Sequence, residues 1–295
     1  MTRLIEQLSD ISDGYDALFC DLWGCLHNGI APFPAAVDAL AGFKARGGRV
    51  VLMTNSPRPN GVVVGQLDGL GVPRDIYDLV VSSGDAAQAG LMAGVVGRRV
   101  WHIGPDRDLH FFDELPDDLQ AAEPVERVAF AEAEGIVCTG PDDELQGPEV
   151  YRPRLMAARE RGLKLLCANP DIVVDLGETR LYCAGAVAAY YTEMGGESLY
   201  FGKPHPPIYD LARRRLAALA GVVANDRILA IGDGLHTDVQ GAIGEDLDVL
   251  FVTGGLAAEE TGTAPDPGSQ PDPARLEAFL AARKLSPSHA IGFLR

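Results

Sequence analysis

The stretch Ile228-Leu229-Ala230-Ile231-Gly232-Asp233-Gly234-Leu235-His236-Thr237-Asp238 decides how the chain reads. A short aliphatic run closed by glycine predicts a buried strand of a parallel sheet. It delivers Asp233 at its carboxyl end, and Asp238 follows where a helix opens, near Thr237–Ile243. Two carboxylates in one turn repel each other. A hard divalent cation, Mg2+ foremost, resolves that repulsion.

The rhythm of strand and helix extends outward from this stretch. Leu247–Val252 reads as the next strand, and Ser198–Phe201, a helix from Pro206 to about Leu219, and Arg227–Ile231 precede it. In that helix Ile208, Leu211, Ala212, Leu216 and Leu219 form an apolar stripe, with Arg213, Arg214 and Arg215 turned outward. The chain starts in the same way, with Ala17–Cys20, a helix from Pro34 to about Ala45, and Arg49–Met53. Between the two blocks a second set appears: strands at Arg99–Ile103, Val128–Ala131, Ile136–Cys138 and Leu163–Ala168, and helices near Glu149–Arg161 and Ala184–Met194. A segment of this length is domain-sized. The expectation is an α/β protein whose Rossmann-like, doubly wound parallel-sheet core, residues 1–81 and 197–295, is interrupted by an inserted α/β domain, residues 82–196. Glu259–Pro273, rich in Pro, Gly and Asp, reads as a mobile surface loop before a final helix near Pro273.

Three more places can carry chemistry. Phe19-Cys20-Asp21-Leu22-Trp23-Gly24 puts Asp21 at the carboxyl end of a strand, where open α/β folds bind ligands. Asp21 is thus a candidate nucleophile or metal ligand, or a loop residue making a turn. Thr54 and Asn55 close the Arg49–Met53 run with a hydroxyl and an amide suited to phosphoryl oxygens, and equally to turn and cap chemistry. In Gly202-Lys203-Pro204-His205-Pro206, Lys203 is a stiffened cation of the kind that compensates an anionic centre, and His205 either shuttles protons or caps the following helix.

Composition narrows the function classes. The 295 residues carry a net charge of −17, which disfavours nucleic-acid and anionic-membrane partners. The longest charge-free stretch, Leu22 to Val37, contains Asn28, Pro32 and Pro34, so the expectation is neither a membrane span nor a secretory signal. Cys20, Cys25, Cys138, Cys167 and Cys183 include no C-x-x-C pair and read as small buried hydrophobes of a cytoplasmic protein, with no disulfide framework or zinc site. P-loop, dinucleotide, serine-hydrolase and zincin signatures do not occur in their usual forms.

An Asp, a Thr, a Lys and an acidic pair, all at predicted strand ends, form a set that resembles the four motifs of the haloacid-dehalogenase superfamily. The Asp-Leu-Trp-Gly-Cys-Leu-His-Asn-Gly opening, the Gly-Lys-Pro-His-Pro-Pro-Ile-Tyr segment and Gly-Asp-Gly-Leu-His-Thr-Asp resemble the subgroup with a large α/β cap between the second and third motifs. That subgroup includes nitrophenyl-phosphatase-like and sugar-phosphate phosphatases. The resemblance implies a Mg2+-dependent phosphatase acting on a small phosphorylated metabolite through an aspartyl-phosphate on Asp21. Asp21, the Trp23 carbonyl, Asp233 and Asp238 would hold the metal. Thr54, the Asn55 amide and Lys203 would bind the phosphoryl group, with Asn169 of Cys167-Ala168-Asn169-Pro170-Asp171 touching substrate from the cap. The resemblance also admits a homo-oligomer joined through the cap.

One position departs from the pattern. Phosphatases of the superfamily carry a second Asp two residues after the nucleophile, and here that residue is Trp23, whose indole transfers no proton. His27 is the nearest replacement in sequence. Two alternatives follow: a phosphate-ligand-binding protein on a hydrolase fold, and a metal-independent dehalogenase, since dehalogenases carry an aromatic residue at that place. Asp233 and Asp238 weigh against the dehalogenase, because their charge opposes attack by Asp21 without a cation. A receiver domain uses a similar Asp, Thr and Lys but is far shorter than this chain.

Overall fold

The computed structural model describes residues 2–116, 119, 123–176 and 179–295. The chain divides into two compact units, one of residues 1–54, 64–81 and 209–295, the other of residues 55–63 and 82–208.

The first unit is built on a seven-stranded sheet. Its strands are β1 (Arg3–Leu4), β2 (Ala17–Asp21), β3 (Arg49–Thr54), β4 (Leu79–Ser82), β12 (Ile228–Gly232), β13 (Asp248–Val252) and β14 (His289–Ile291), in the order β1-β14-β13-β12-β2-β3-β4. The pairings from β1 through to β3 are parallel. β2 and β12 are buried along their whole length, as central strands of a sheet covered on both faces must be. Helix α1 (Pro34–Ala45) starts with proline in its first turn and buries Ala36, Leu40 and Phe43. In α7 (Pro206–Ala220), Ile208, Leu211, Ala212 and Leu216 of the expected stripe are buried, whereas Leu219, in the last turn, is exposed.

The second unit carries a parallel five-stranded sheet in the order β11-β8-β7-β5-β6, from β5 (Arg99–Ile103), β6 (Glu126–Arg127), β7 (Gly135–Cys138), β8 (Lys164–Cys167) and β11 (Glu197–Tyr200). An antiparallel pair, β9 (Val173–Leu176) and β10 (Thr179–Tyr182), stands beside it in sequence. Helix α5 (Arg152–Glu160) buries Leu155 and Ala158, and α6 (Ala184–Glu193) buries Val187, Ala188 and Tyr191, around Trp101, Ile136 and Leu165.

Three expectations are corrected. The strand expected at Val128–Ala131 does not form: the two-residue edge strand β6 ends before it, at Arg127, and a 3-10 turn covers Phe130–Glu132, whose Phe130 ring meets Trp101 edge-on at 5.0 Å. Phe130 serves a ring contact, while the Val128 N–H still donates to the Val100 carbonyl at 2.9 Å. The helix expected near Thr237–Ile243 opens as a π-type turn, Leu235–Val239, before α8 (Gln240–Gly244). Glu259–Pro273 is no loose loop at its start: α9 (Ala258–Thr261) forms, and buried Thr261 and Thr263 hydrogen-bond each other at 2.9 Å, with Thr263 reaching Thr253 at 2.8 Å. Helix α3 (Ser83–Met92) went unread, although Ser82 and Asp85 form its capping box.

Candidate active site

Register brings the acidic residues of the first unit to one level. Cys20 of β2 pairs with Ile231 of β12 on one side and Leu52 of β3 on the other, and Asp21 pairs with Met53. Asp21, Thr54 and the Gly232–Asp233 turn therefore leave the sheet at the same edge, with Thr54 half-buried. Ligand atoms of Asp21, Asp233 and Cys25 lie within 4.8 Å of one another, and all three residues are buried.

Missing side chains make this closeness feasible. A Cβ on Gly24 would sit 2.2 Å from Asp233 Oδ2, and one on Gly255 would sit 2.0 Å from the same oxygen. Gly24 is also in the left-handed region, φ +78°, which glycine occupies without strain. The Leu256 N–H donates to Asp233 Oδ2 at 3.0 Å and so helps fix that carboxylate. Asp238 folds back on its own turn: its Oδ2 accepts from the Gly234 N–H and the Thr237 hydroxyl, each at 3.2 Å. The π-type turn closes with Val239 N–H donating to the Gly234 carbonyl at 3.1 Å. Such turns recur at functional sites.

The two carboxylates, though not the Cys25 thiol beside them, suit a hard divalent cation. Two buried carboxylates this close are costly without positive charge between or beside them. Cys25 is the group that sequence reasoning missed. Burial pushes its thiol well up, and the Asp233 and Asp21 charges push it further. Its place, one residue after Gly24 in the Asp21 loop, was the available signal.

Trp23 is half-buried in that loop, its ring meeting His27 edge-on at 5.5 Å. Gly29, at φ +83°, lets the indole lie against the loop backbone, since a Cβ there would be 2.3 Å from Trp23 Cη2. His27 is poorly suited to replace an acid. Burial lowers its pKa to about 4, and its Nδ1 accepts the Gly29 N–H at 3.1 Å.

The remaining candidates belong to the second unit. Lys203 is 4% exposed. Its N–H donates to Asn55 Oδ1 at 2.7 Å, and its carbonyl accepts from Asn55 Nδ2 at 3.0 Å. Asn169 Oδ1 accepts the Asp171 N–H at 3.0 Å, the turn chemistry available to an Asn-Pro-Asp sequence. The His205 ring stacks on Tyr200, with centroids 4.8 Å apart, and burial lowers its pKa.

Comparison with known proteins shows the family. A model of haloacid dehalogenase-like hydrolases matches residues 18–115, and a related HAD-like model matches residues 200–276. A crystal structure of a haloacid dehalogenase-like hydrolase from Brucella suis is 42% identical, with a TM-score of 0.83, over 99% of this chain and 100% of that one. The glycerol phosphate phosphatase of Mycobacterium tuberculosis, solved in complex with magnesium, is 25% identical over 88% of this chain and 75% of that one, with a TM-score of 0.65. The ribonucleotide monophosphatase NagD of Escherichia coli is 22% identical over 82% of this chain and 88% of that protein. The chain is therefore a hydrolase of the haloacid dehalogenase-like family, in the subgroup with an α/β cap inserted between its second and third motifs.

Proposed function

We propose that the protein is a divalent-cation-dependent phosphatase of small phosphorylated metabolites, with Asp21 as nucleophile. The observation that carries this reading is the pair of buried carboxylates, Asp21 and Asp233, at the tips of neighbouring strands. Attack on carbon without a metal is opposed by the charge of a second carboxylate beside the nucleophile, whereas attack on phosphorus with a cation among the carboxylates is not.

Asp21, Asp233 and the Trp23 carbonyl would hold the cation, with Asp238 direct or through water. When bound, Mg2+ supplies charge that offsets the repulsion between nucleophile and phosphoryl oxygens. The Thr54 hydroxyl and the Asn55 amide bind those oxygens, and Lys203 meets the charge that grows on them. An Asp21 oxygen forms a bond to phosphorus as the bond to the leaving oxygen breaks, and the leaving group departs with that electron pair. Water then attacks phosphorus, the Asp21 carboxylate is released, and the proton passes to solvent.

Trp23 and His27 offer no proton to the leaving oxygen. General acid-base help is worth about 10²–10⁴-fold. Phosphates of good leaving groups are therefore the faster substrates, and alkyl phosphates the slower. A cytoplasmic setting suits the five buried free cysteines, and among the described residues no helix is long and apolar enough to cross a membrane. Association of copies through the cap completes the reading.

The test is turnover of p-nitrophenyl phosphate with added Mg2+. EDTA abolishes it, and Asp21→Asn lowers kcat by at least about 1000-fold without lowering Tm. Tight metabolite binding with turnover equal in wild type and Asp21→Asn would instead favour the binding-protein reading that Trp23 raises.

A further inference from the structure

The Asn55 side chain makes contacts that the proposed phosphoryl binding, through its backbone amide, does not use. Its amide meets the main chain of Lys203 as a neighbouring strand would, accepting the N–H at 2.7 Å and donating to the carbonyl at 3.0 Å. The same Nδ2 donates to Asp171 Oδ1 at 2.8 Å. Only one orientation of the amide satisfies this set. Reversed, it would face an N–H with its own donor, and a carbonyl and a carboxylate with its own acceptor. Asn55 is 4% exposed, so water cannot replace lost partners cheaply.

A glycine beside Lys203 makes room for this contact. A Cβ on Gly202 would lie 2.5 Å from Asn55 Oδ1 and 2.6 Å from both Pro170 Cδ and the Ser83 hydroxyl, so the residue before Lys203 must be glycine for the amide to approach. Asp171 is held in turn by the Asn169 side chain.

From this we infer that Asn55 is a positioning residue: its side-chain amide fixes the main chain of Lys203 and ties it to Asp171 in the Asn169–Asp171 turn. The inference rests on Lys203 serving the proposed hydrolysis, and it makes the placement of that lysine depend on a turn of the second unit. A long, mobile lysine side chain aims reliably only when its backbone is pinned, and here a side chain supplies the pinning.

The test pairs an activity-independent reading with a kinetic one. In the full-length protein, hydrogen exchange at the Lys203 amide speeds at least about tenfold in Asn55→Ala, while exchange in β2 and β12 stays as in wild type. With p-nitrophenyl phosphate, kcat falls about 10- to 100-fold in Asn55→Ala and further in Asn55→Asp, with KM changed less than threefold. The pair Asn55→Asp with Asp171→Asn restores a donor facing an acceptor and recovers at least about tenfold of the Asn55→Asp loss. Unchanged Lys203 exchange in Asn55→Ala overturns the inference, as does a double variant no better than Asn55→Asp. If wild type itself turns over no phosphate ester, the phosphatase reading falls while the exchange experiment still decides whether Asn55 holds Lys203.

Discussion

Both units of this protein are parallel sheets wrapped by helices, yet their strand tips differ. In the first, β2 and β12 end in Asp21 and Gly232–Asp233, carboxylates crowded within 4.8 Å of each other and of Cys25. In the second, β7 and β8 end in Cys138 and Cys167, whose thiols donate to the Gly140 and Asn169 carbonyls, and His102 Nε2 meets the Thr139 hydroxyl at 2.9 Å. The second set makes its hydrogen bonds locally, whereas the first brings two carboxylates together, the arrangement on which the proposed cation site rests. A parallel sheet thus offers a ligand edge without dictating chemistry, and residue choice at the tips decides it.

The sharpest way to break that contrast is to remove charge from the acidic tip. Asp233→Asn should lower kcat for p-nitrophenyl phosphate by about 100-fold or more and raise the Mg2+ concentration needed for half-maximal rate. Cys167→Ala, at the thiol tip, should cost Tm and leave the Mg2+ requirement unchanged. Restoring an acid pushes in the other direction: Trp23→Asp should raise turnover of an alkyl phosphate about 10- to 100-fold while changing the aryl phosphate less. No gain on the alkyl substrate would sink the claim that a missing proton donor limits this enzyme.

Two left-handed glycines sharpen the comparison further. Gly24→Ala places a methyl 2.2 Å from Asp233 Oδ2, and Gly162→Ala, at φ +67°, meets nothing within 4 Å. Gly162→Ala should destabilise by about 1 kcal/mol in urea unfolding through backbone strain alone, and Gly24→Ala by more, since it adds a clash to the same strain. Only Gly24→Ala should also lower kcat, by about tenfold or more. The smallest effect concerns pH. Burial lowers the His102 pKa to about 4 from its ordinary 6.5, with the Arg127 charge adding to the shift. The unfolded chain then binds the proton more tightly, so the stability that neutral His102 contributes is full above about pH 6.5 and is lost as pH falls toward 4. In His102→Gln the difference in stability between pH 7 and pH 4 should narrow.

Much of this was legible in the residues. Ala17–Cys20, Arg49–Met53 and Leu247–Val252 announced strands because continuous apolar runs of that length suit a sheet buried on both faces. Less legible was anything decided at a distance. Val128–Ala131 has strand composition but spends Phe130 on Trp101, and Thr261 and Thr263 order the start of a polar stretch through buried hydroxyls. The sequence offered the Asn55 amide for phosphoryl oxygens or for a turn, but not the contacts of its side chain, whose partners Lys203 and Asp171 lie more than a hundred residues away.

By itself the sequence determined the alternation of strands and helices, the acids that end β2 and β12, and the absence of an acid at Trp23, because burial periodicity and residue chemistry are local properties. Tertiary structure alone decided that Cys25 joins those acids, that His27 is spent on its own loop, and that an asparagine amide holds the backbone of a lysine. Each depends on strand register, or on a glycine that clears a few ångströms, and no window of neighbouring residues records such distances.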